Sequence, residues 1–156
     1  MGKIKTNKEF EQVAILIEEA RNRAFLKVNE ELVLLYFKVG NIVSSIDAYE
    51  EASKLDPSDK EIWLNWSFIF YEQGDYNKAI DTLTLGFEEI PNDAELLYRM
   101  TVYLIEAGQF KEAFTYLENA LILDFDGHTA LFDFFPKIET QKALYKIIEQ
   151  FRKENT

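Results

Sequence analysis

The sequence predicts an all-α protein, a right-handed α-solenoid in which helical hairpins stack in series. Gly40, Gly74 and Gly108 follow one another at intervals of 34 residues. Around each of them, large apolar residues recur in steps of three and four, which places them on one face of an amphipathic helix. The chain of 156 residues also contains only six Gly and three Pro. Because these residues interrupt helices, and because β-branched residues rarely alternate with polar ones, the sequence favours helices over strands.

Other positions recur in step with the glycines and predict a helix–turn–helix unit. Gly at the midpoint permits a positive φ and ends the first helix. Pro57 and Pro91, 17 residues after a glycine, end the second helix, because Pro cannot continue one. Residues 56–59 and 91–93 supply capping side chains for the following helix. Small residues let paired helices approach closely, and we expect such close approaches at Ala52, Ala79, Gly86 and Ala113.

With these positions, residues 26–127 resemble the tetratricopeptide-repeat (TPR) family, whose repeat carries W-x2-L-G-x2-Y, then Ala, an aromatic residue and Pro. The best match contains Trp63, Gly74, Tyr76, Ala79 and Pro91. The first repeat departs from the pattern, with Asn in place of Trp at position 29 and Ser in place of Ala at position 45. The resemblance implies repeats over 26–59, 60–93 and 94–127. Outside them we expect an extension of the first helix over 1–25 and capping helices over 128–156.

The two ends of the chain differ from the repeats. Residues 8–39 contain neither Gly nor Pro, which predicts either one continuous helix of about 32 residues or two helices with a break at 26–29. Residues 128–135 predict a short aromatic-rich helix closed by Pro136. A second amphipathic helix follows. We expect it to cap the array with one apolar face, made of Leu144, Ile147, Ile148 and Phe151.

Residues 10–43 are also similar to the amino-terminal helical domain of predicted bacterial nucleases of the YhcG type. The similarity lies in Leu16-Ile17-Glu18-Glu19-Ala20-Arg21 and in Glu31-Leu32-Val33-Leu34-Leu35-Tyr36-Phe37-Lys38-Val39-Gly40. The nuclease half of such proteins has no counterpart in this sequence, so the similarity implies no nuclease activity. Either the likeness is a coincidence between helical sequences, or a natural or engineered fusion joins two sources through a shared helix.

In TPR proteins the first helix of each repeat lines a concave groove, and the resemblance implies the groove residues of this chain. Asn65 and Arg99 match two positions with which some members hold a peptide carboxylate. Glu30, Leu34 and Glu95 occupy the other positions, so we do not expect that carboxylate clamp. We expect a peptide or helix with apolar anchors and basic flanks. The expected partner-binding residues are Leu34, Phe37, Leu64, Asn65, Phe68, Tyr71, Glu72, Tyr98, Arg99, Val102 and Ile105.

The composition argues against several functional classes. The formal net charge is −11, and residues 60–127 carry thirteen acidic and four basic side chains, which disfavours nucleic acid as a partner. With no Cys, one His and no Gly-rich phosphate loop, we expect no catalytic residue, metal site or cofactor. No apolar run is long enough to span a membrane, and no secretory signal is evident, so we expect a cytoplasmic protein.

The sequence therefore predicts a non-catalytic scaffold that binds a polypeptide in its groove. The alternative is self-association or an engineered structural module, in which a helix of the same chain or of another copy fills the groove. A more remote hypothesis is a nuclease accessory fragment that binds nucleic acid through the Lys and Arg of residues 1–30.

Overall fold

The computed structural model describes residues 42–156, with side chains from Ser45 onwards. Within that range the chain forms helices only, which confirms the predicted all-α class. Residues 1–41, including Leu34, Phe37, Gly40 and the predicted long first helix, lie outside the described residues. The helices are α1 (Ile42–Leu55), α2 (Lys60–Glu72), α3 (Tyr76–Glu89), α4 (Ala94–Glu106), α5 (Phe110–Leu123), a 3₁₀ segment (Phe125–Asp133) and α6 (Ile138–Glu154).

The predicted glycine turns are present in both hairpins that the structure describes in full. Gly74 and Gly108 each have φ of 77°, a conformation that costs little only for glycine. Just beyond Gly74, the backbone N–H of Asp75 donates to the carbonyl of Phe70 at 2.9 Å. The N–H of Gln109 donates to the carbonyl of Leu104 in the same way, also at 2.9 Å. These bonds satisfy the last carbonyls of α2 and α4 and turn the chain back onto itself.

Aspartate side chains cap the amino-terminal ends of three helices, α2, α3 and α4. Two of these aspartates lie in the predicted loops. The carboxylate of Asp59 accepts from the N–H of Glu61 at 3.1 Å, and that of Asp93 accepts from Leu96 at 3.1 Å. Asp75 caps α3 similarly through the N–H of Lys78 at 3.2 Å. Each carboxylate satisfies a backbone donor that has no partner within its helix.

Small residues allow the two helices of each hairpin to approach closely, as predicted. Ala79 and Ala113 are fully buried; Ala52 is also fully buried and lies in one cluster with Ile62 and Ile69 of α2, while the helix before its own turn is outside the described residues. At Gly86 the approach is closer still, because a Cβ added there would lie 2.8 Å from Cγ of Trp63. Trp63 is itself fixed, since its indole N–H donates to the carbonyl of Pro57 at 2.8 Å and its ring stacks on Trp66.

A polar contact links the first helices of successive hairpins. The hydroxyls of Ser67 in α2 and Tyr103 in α4 lie 2.8 Å apart, and both residues are fully buried. Ser67 also donates to the carbonyl of Leu64 at 3.0 Å. The buried apolar core continues around this contact from α2 through α5 to α6. The hairpins therefore share one core, as stacked repeats require.

The predicted cap is present, with one correction. The aromatic-rich helix is a 3₁₀ segment that begins at Phe125, and it buries Leu131. In α6, Leu144 and Ile148 are buried and Phe151 is partly buried. Ile147, expected on the same face, is 37% exposed. It adjoins Ile148 along the helix, and a rotation of about 100° per residue carries it to the edge of the buried face.

We predict that Gly86→Ala destabilises the fold. Alanine favours a helix over glycine by about 1 kcal/mol, but overpacking a closed contact costs about 1–3 kcal/mol. The contact with Trp63 should therefore outweigh the helix propensity. Chemical unfolding measures the difference, and Thr84→Ala, at an exposed position of the same helix, is the control and should change stability by less than about 0.5 kcal/mol. A Gly86→Ala protein as stable as the wild type would contradict the close contact.

We also predict that the Ser67–Tyr103 contact stabilises the fold and that substitutions of the two residues are not additive. Ser67→Ala and Tyr103→Phe should each lower the free energy of unfolding by about 1–2 kcal/mol, because each leaves a buried hydroxyl with one partner fewer. The double variant should lose less than the sum of the two single losses. Strict additivity in urea unfolding would show that the two hydroxyls do not interact.

Candidate functional site

The expected groove residues of α2 and α4 fall into two groups by burial. Leu64, Asn65, Tyr98 and Val102 are buried, with between 1% and 7% of their surface exposed. Phe68, Tyr71, Arg99 and Ile105 are partly exposed, and Glu72 is exposed. Leu34 and Phe37 lie outside the described residues. Only the second group can meet a partner without a rearrangement of the chain.

Aromatic side chains from three elements gather on this face, and we call them the aromatic cluster. The ring of Tyr71 stacks on Phe68 with centroids 5.8 Å apart and on Tyr103 at 5.4 Å. Phe134, just after the 3₁₀ segment, meets Tyr71 edge-on at 5.7 Å and Phe68 at 6.3 Å. Edge-to-face and offset-stacked pairs at these distances attract beyond their burial of apolar area. The cluster is therefore a built surface, fixed before any partner arrives.

Arg99 adds a cation to the aromatic cluster. Its guanidinium carbon lies 4.8 Å from the ring centroid of Phe134 and 5.7 Å from that of Phe68. Its Nη1 donates to the carbonyl of Leu64 at 3.4 Å. A guanidinium held between two rings keeps several donors, which can meet carbonyl or carboxylate oxygens of a bound chain.

The chain itself covers the part of this face that α4, the first helix of the third repeat, contributes. Ala130, Leu131 and Phe134 close over Tyr98 and Val102 and leave a cavity of only about 40 Å³. The hydroxyl of Tyr98 donates to the carbonyl of Asp124 at 2.6 Å. Burial raises the pKa of Tyr98, because it penalises the phenolate. Tyr98 and Val102 therefore contact the chain's own carboxy-terminal segment.

Negative charge surrounds the open part of the face. Burial, together with the nearby carboxylates of Glu106 and Glu72, raises the pKa of Tyr71 to about 12. At the other end, Lys60 lies 2.9 Å from Glu95 and 3.5 Å from Asp93. The hydrogen bond to Glu95 is the main cause of the raised pKa of Lys60. Lys60 is thus already paired, and the rim formed by the described residues stays acidic.

Two members of the aromatic cluster were not expected from the sequence. Tyr103 lies outside the groove positions that the TPR resemblance implies. Phe134 lies in the predicted cap, and nothing in the 34-residue period places it against α2. The run of aromatic residues just before Pro136 is the signal that could have indicated it, because apolar side chains so close to a chain reversal must find cover.

Two further properties concern the described residues alone. No group of three or more His, Cys, Asp or Glu side chains among residues 42–156 is arranged to hold a metal ion. None of the helices in this range is both long and apolar enough to cross a membrane.

Comparison with curated proteins gives partial relatives. No family model matches the chain. It is 29% identical over 96 residues to tetratricopeptide repeat protein 14 of Mus musculus, covering 57% of this chain and 12% of that protein. It is 36% identical over 84 residues to photosystem I assembly protein Ycf3 of Acaryochloris marina (strain MBIC 11017), covering 52% of this chain and 51% of Ycf3. The chain thus spans about half, or much less, of the relatives it matches.

Solved structures show the same architecture. YrrB, described as a TPR protein with an unusual peptide-binding site, matches 83% of this chain and 70% of its own with a TM-score of 0.54 and 20% identity. This chain has the TPR fold. The type III secretion translocator chaperone SycD of Yersinia enterocolitica matches 84% of this chain and 94% of its own, with a TM-score of 0.51 and 17% identity. The predicted TPR architecture is therefore confirmed.

We predict that Tyr71 makes this TPR fold sensitive to alkali. Its pKa is about 12 in the folded chain against 10.0 as the reference value. The unfolded chain therefore releases this proton first, so the free energy of unfolding should fall as pH rises above about 10. Urea unfolding at about pH 9 and about pH 11 should show a smaller loss for Tyr71→Phe than for the wild type. Equal losses in both proteins would contradict the shift.

Proposed function

We propose that this chain is a non-catalytic protein-interaction module that binds a polypeptide segment on the open part of the aromatic cluster. The observation that carries the proposal is the set of half-exposed rings of Phe68, Tyr71 and Phe134 with Arg99 between them. Aromatic residues and arginine are the side chains that most often dominate binding energy at protein interfaces. Stacked in advance, they lose little conformational freedom when a partner arrives.

The chemistry of the partner follows from the same surface. Apolar rings favour an aromatic or aliphatic anchor, and the donors of Arg99 favour backbone carbonyl oxygens beside it. Glu72 and Glu106, whose charges raise the pKa of Tyr71, lie close enough to attract Lys or Arg that flanks the anchor. A short segment with one bulky apolar side chain and basic neighbours would fit both features.

The names of similar proteins support this class of function. Ycf3 is a photosystem I assembly protein, YrrB has a peptide-binding site and SycD is a chaperone. All three names describe proteins that handle other polypeptides. One fold serves many unrelated roles, so the proposal depends on the aromatic cluster and takes only its class from these proteins.

The covered third hairpin favours a second candidate, a purely structural module. Ala130, Leu131 and Phe134 already fill part of the expected groove. In this alternative, the aromatic cluster only attaches the cap to α2. Substitutions in the cluster would then change stability alone.

We predict that a library of random peptides displayed on phage yields ligands whose binding depends on Tyr71. For synthetic versions of the selected peptides, fluorescence anisotropy should show about tenfold or greater loss of affinity in Tyr71→Ala. Tyr116→Ala is the matched control. Tyr116 is also half-buried and pairs with the ring of Phe87, 5.7 Å away, but it lies apart from the aromatic cluster.

The control variant should keep affinity within about twofold, and circular dichroism should show that both variants remain folded. Selected peptides should be enriched in Lys and Arg. If no peptide is selected, or if both variants bind the peptides equally well, the structural alternative replaces the proposal.

A further inference from the structure

The last helix leaves one side of its surface open among the described residues. Ile138 is 63% exposed and Tyr145 is 54% exposed. They are two turns apart, so both lie on one face of α6. A groove of about 430 Å³ runs beside them, and we call it the end groove. It is lined by Phe132, Ile138, Gln141, Lys142, Tyr145 and Lys146.

The shape of the end groove is fixed by hydrogen bonds and by burial. The side-chain amide of Gln141 donates to the carbonyl of Phe135 at 2.7 Å and to the carbonyl of Phe132 at 3.4 Å. On the opposite side of α6, Leu144 and Ile148 are buried in the common core. The 3₁₀ segment and α6 are thereby held together, and the groove between them needs no rearrangement to accept a ligand.

The end groove carries positive charge alone. Lys142 and Lys146 line it, and no carboxylate does. Neither lysine forms an ion pair with a carboxylate of the described residues. The two are four residues apart on one helix face, where like charges repel. Glu118 and Glu154 line the neighbouring groove with Lys146 but form no ion pair with it. An anionic ligand in the end groove would therefore still relieve this repulsion.

This charge is opposite in sign to that of the rest of the described chain. Residues 42–136 carry 19 acidic and five basic side chains, whereas residues 137–156 carry three acidic and five basic ones. Within the part of the chain that the structure describes, an acidic partner is therefore repelled by the repeats and attracted at this end. Two lysines beside so much negative charge make a poor nucleic-acid surface, because such binding needs many phosphate contacts.

We propose that the end groove is a second docking site, for an acidic amphipathic helix of another protein. Apolar side chains of that helix would cover Phe132, Ile138 and Tyr145, and its carboxylates would pair with Lys142 and Lys146. From Ile138 to Lys146 the site extends about 12 Å along α6, which matches two to three turns of a bound helix. The site is separate from the aromatic cluster. The chain would then join two partners of opposite charge.

The test uses the full chain and two synthetic fluorescein-labelled peptides. Both are about 14 residues long, with Leu at helical spacing; all remaining positions are Glu in one peptide and the uncharged Gln in the other. The Glu peptide should bind saturably and at least about tenfold more tightly than the Gln peptide, and added NaCl should weaken its binding. Equal affinity for the two peptides, or no saturable binding of the Glu peptide, would overturn the proposal.

Matched variants separate the site from general electrostatics. Lys142→Glu with Lys146→Glu should weaken binding of the Glu peptide by about tenfold or more. Lys111→Glu with Lys153→Glu makes the same change in net charge outside the groove and should alter the affinity by less than about threefold. Tyr145→Ala should also weaken binding, through the lost apolar contact. Equal losses in the two double variants would overturn the proposal.

Two further measurements test whether a second copy of the chain fills the end groove and whether the Glu peptide binds at the aromatic cluster instead. Light scattering across a range of concentrations should show a monomer. A dimer that Lys142→Glu with Lys146→Glu dissociates would show that a second copy fills the groove, which overturns the proposal. Tyr71→Ala should leave binding of the Glu peptide unchanged. The proposal for the end groove is therefore tested independently of the proposal for the aromatic cluster.

Discussion

The lateral register of α2 and α4 is the constraint on which the candidate site depends. The helix that connects them, α3, packs closely against Trp63 of α2 at Gly86. The hydroxyls of Ser67 and Tyr103 then meet at 2.8 Å in the core between them. A shift of one helical turn would move that contact by about 5 Å. It would also separate Tyr71 from Tyr103, and the aromatic cluster would lose its centre.

The repeated features of the fold could be predicted because they rest on local backbone chemistry. A glycine at positive φ, an aspartate at a helix start and a proline after a helix end act within a few residues of themselves. Their recurrence at a fixed interval then determines which helices are neighbours. The secondary structure and the hairpin order of residues 60–123 followed from these signals alone.

The candidate site was less predictable, because non-periodic residues complete it. Family positions located Phe68, Tyr71 and Arg99, but they gave no account of the segment that covers Tyr98 and Val102. Phe134 reaches α2 through a tertiary contact that the 34-residue period does not predict. The exposed position of Ile147 was missed for a similar reason, because the amphipathic pattern of α6 marks its apolar residues but not how wide a face the core can cover.

The 3₁₀ segment has a consequence for communication between the two surfaces. Phe132, which lines the end groove, and Phe134, which touches Tyr71, are separated by a single residue. A ligand that shifted this segment on one side would change the cover on the other. Thermodynamic linkage would then make the effect mutual, with each occupant altering the affinity of the other by the same factor. The cap of this solenoid would then couple two binding sites as well as cover the end of the core.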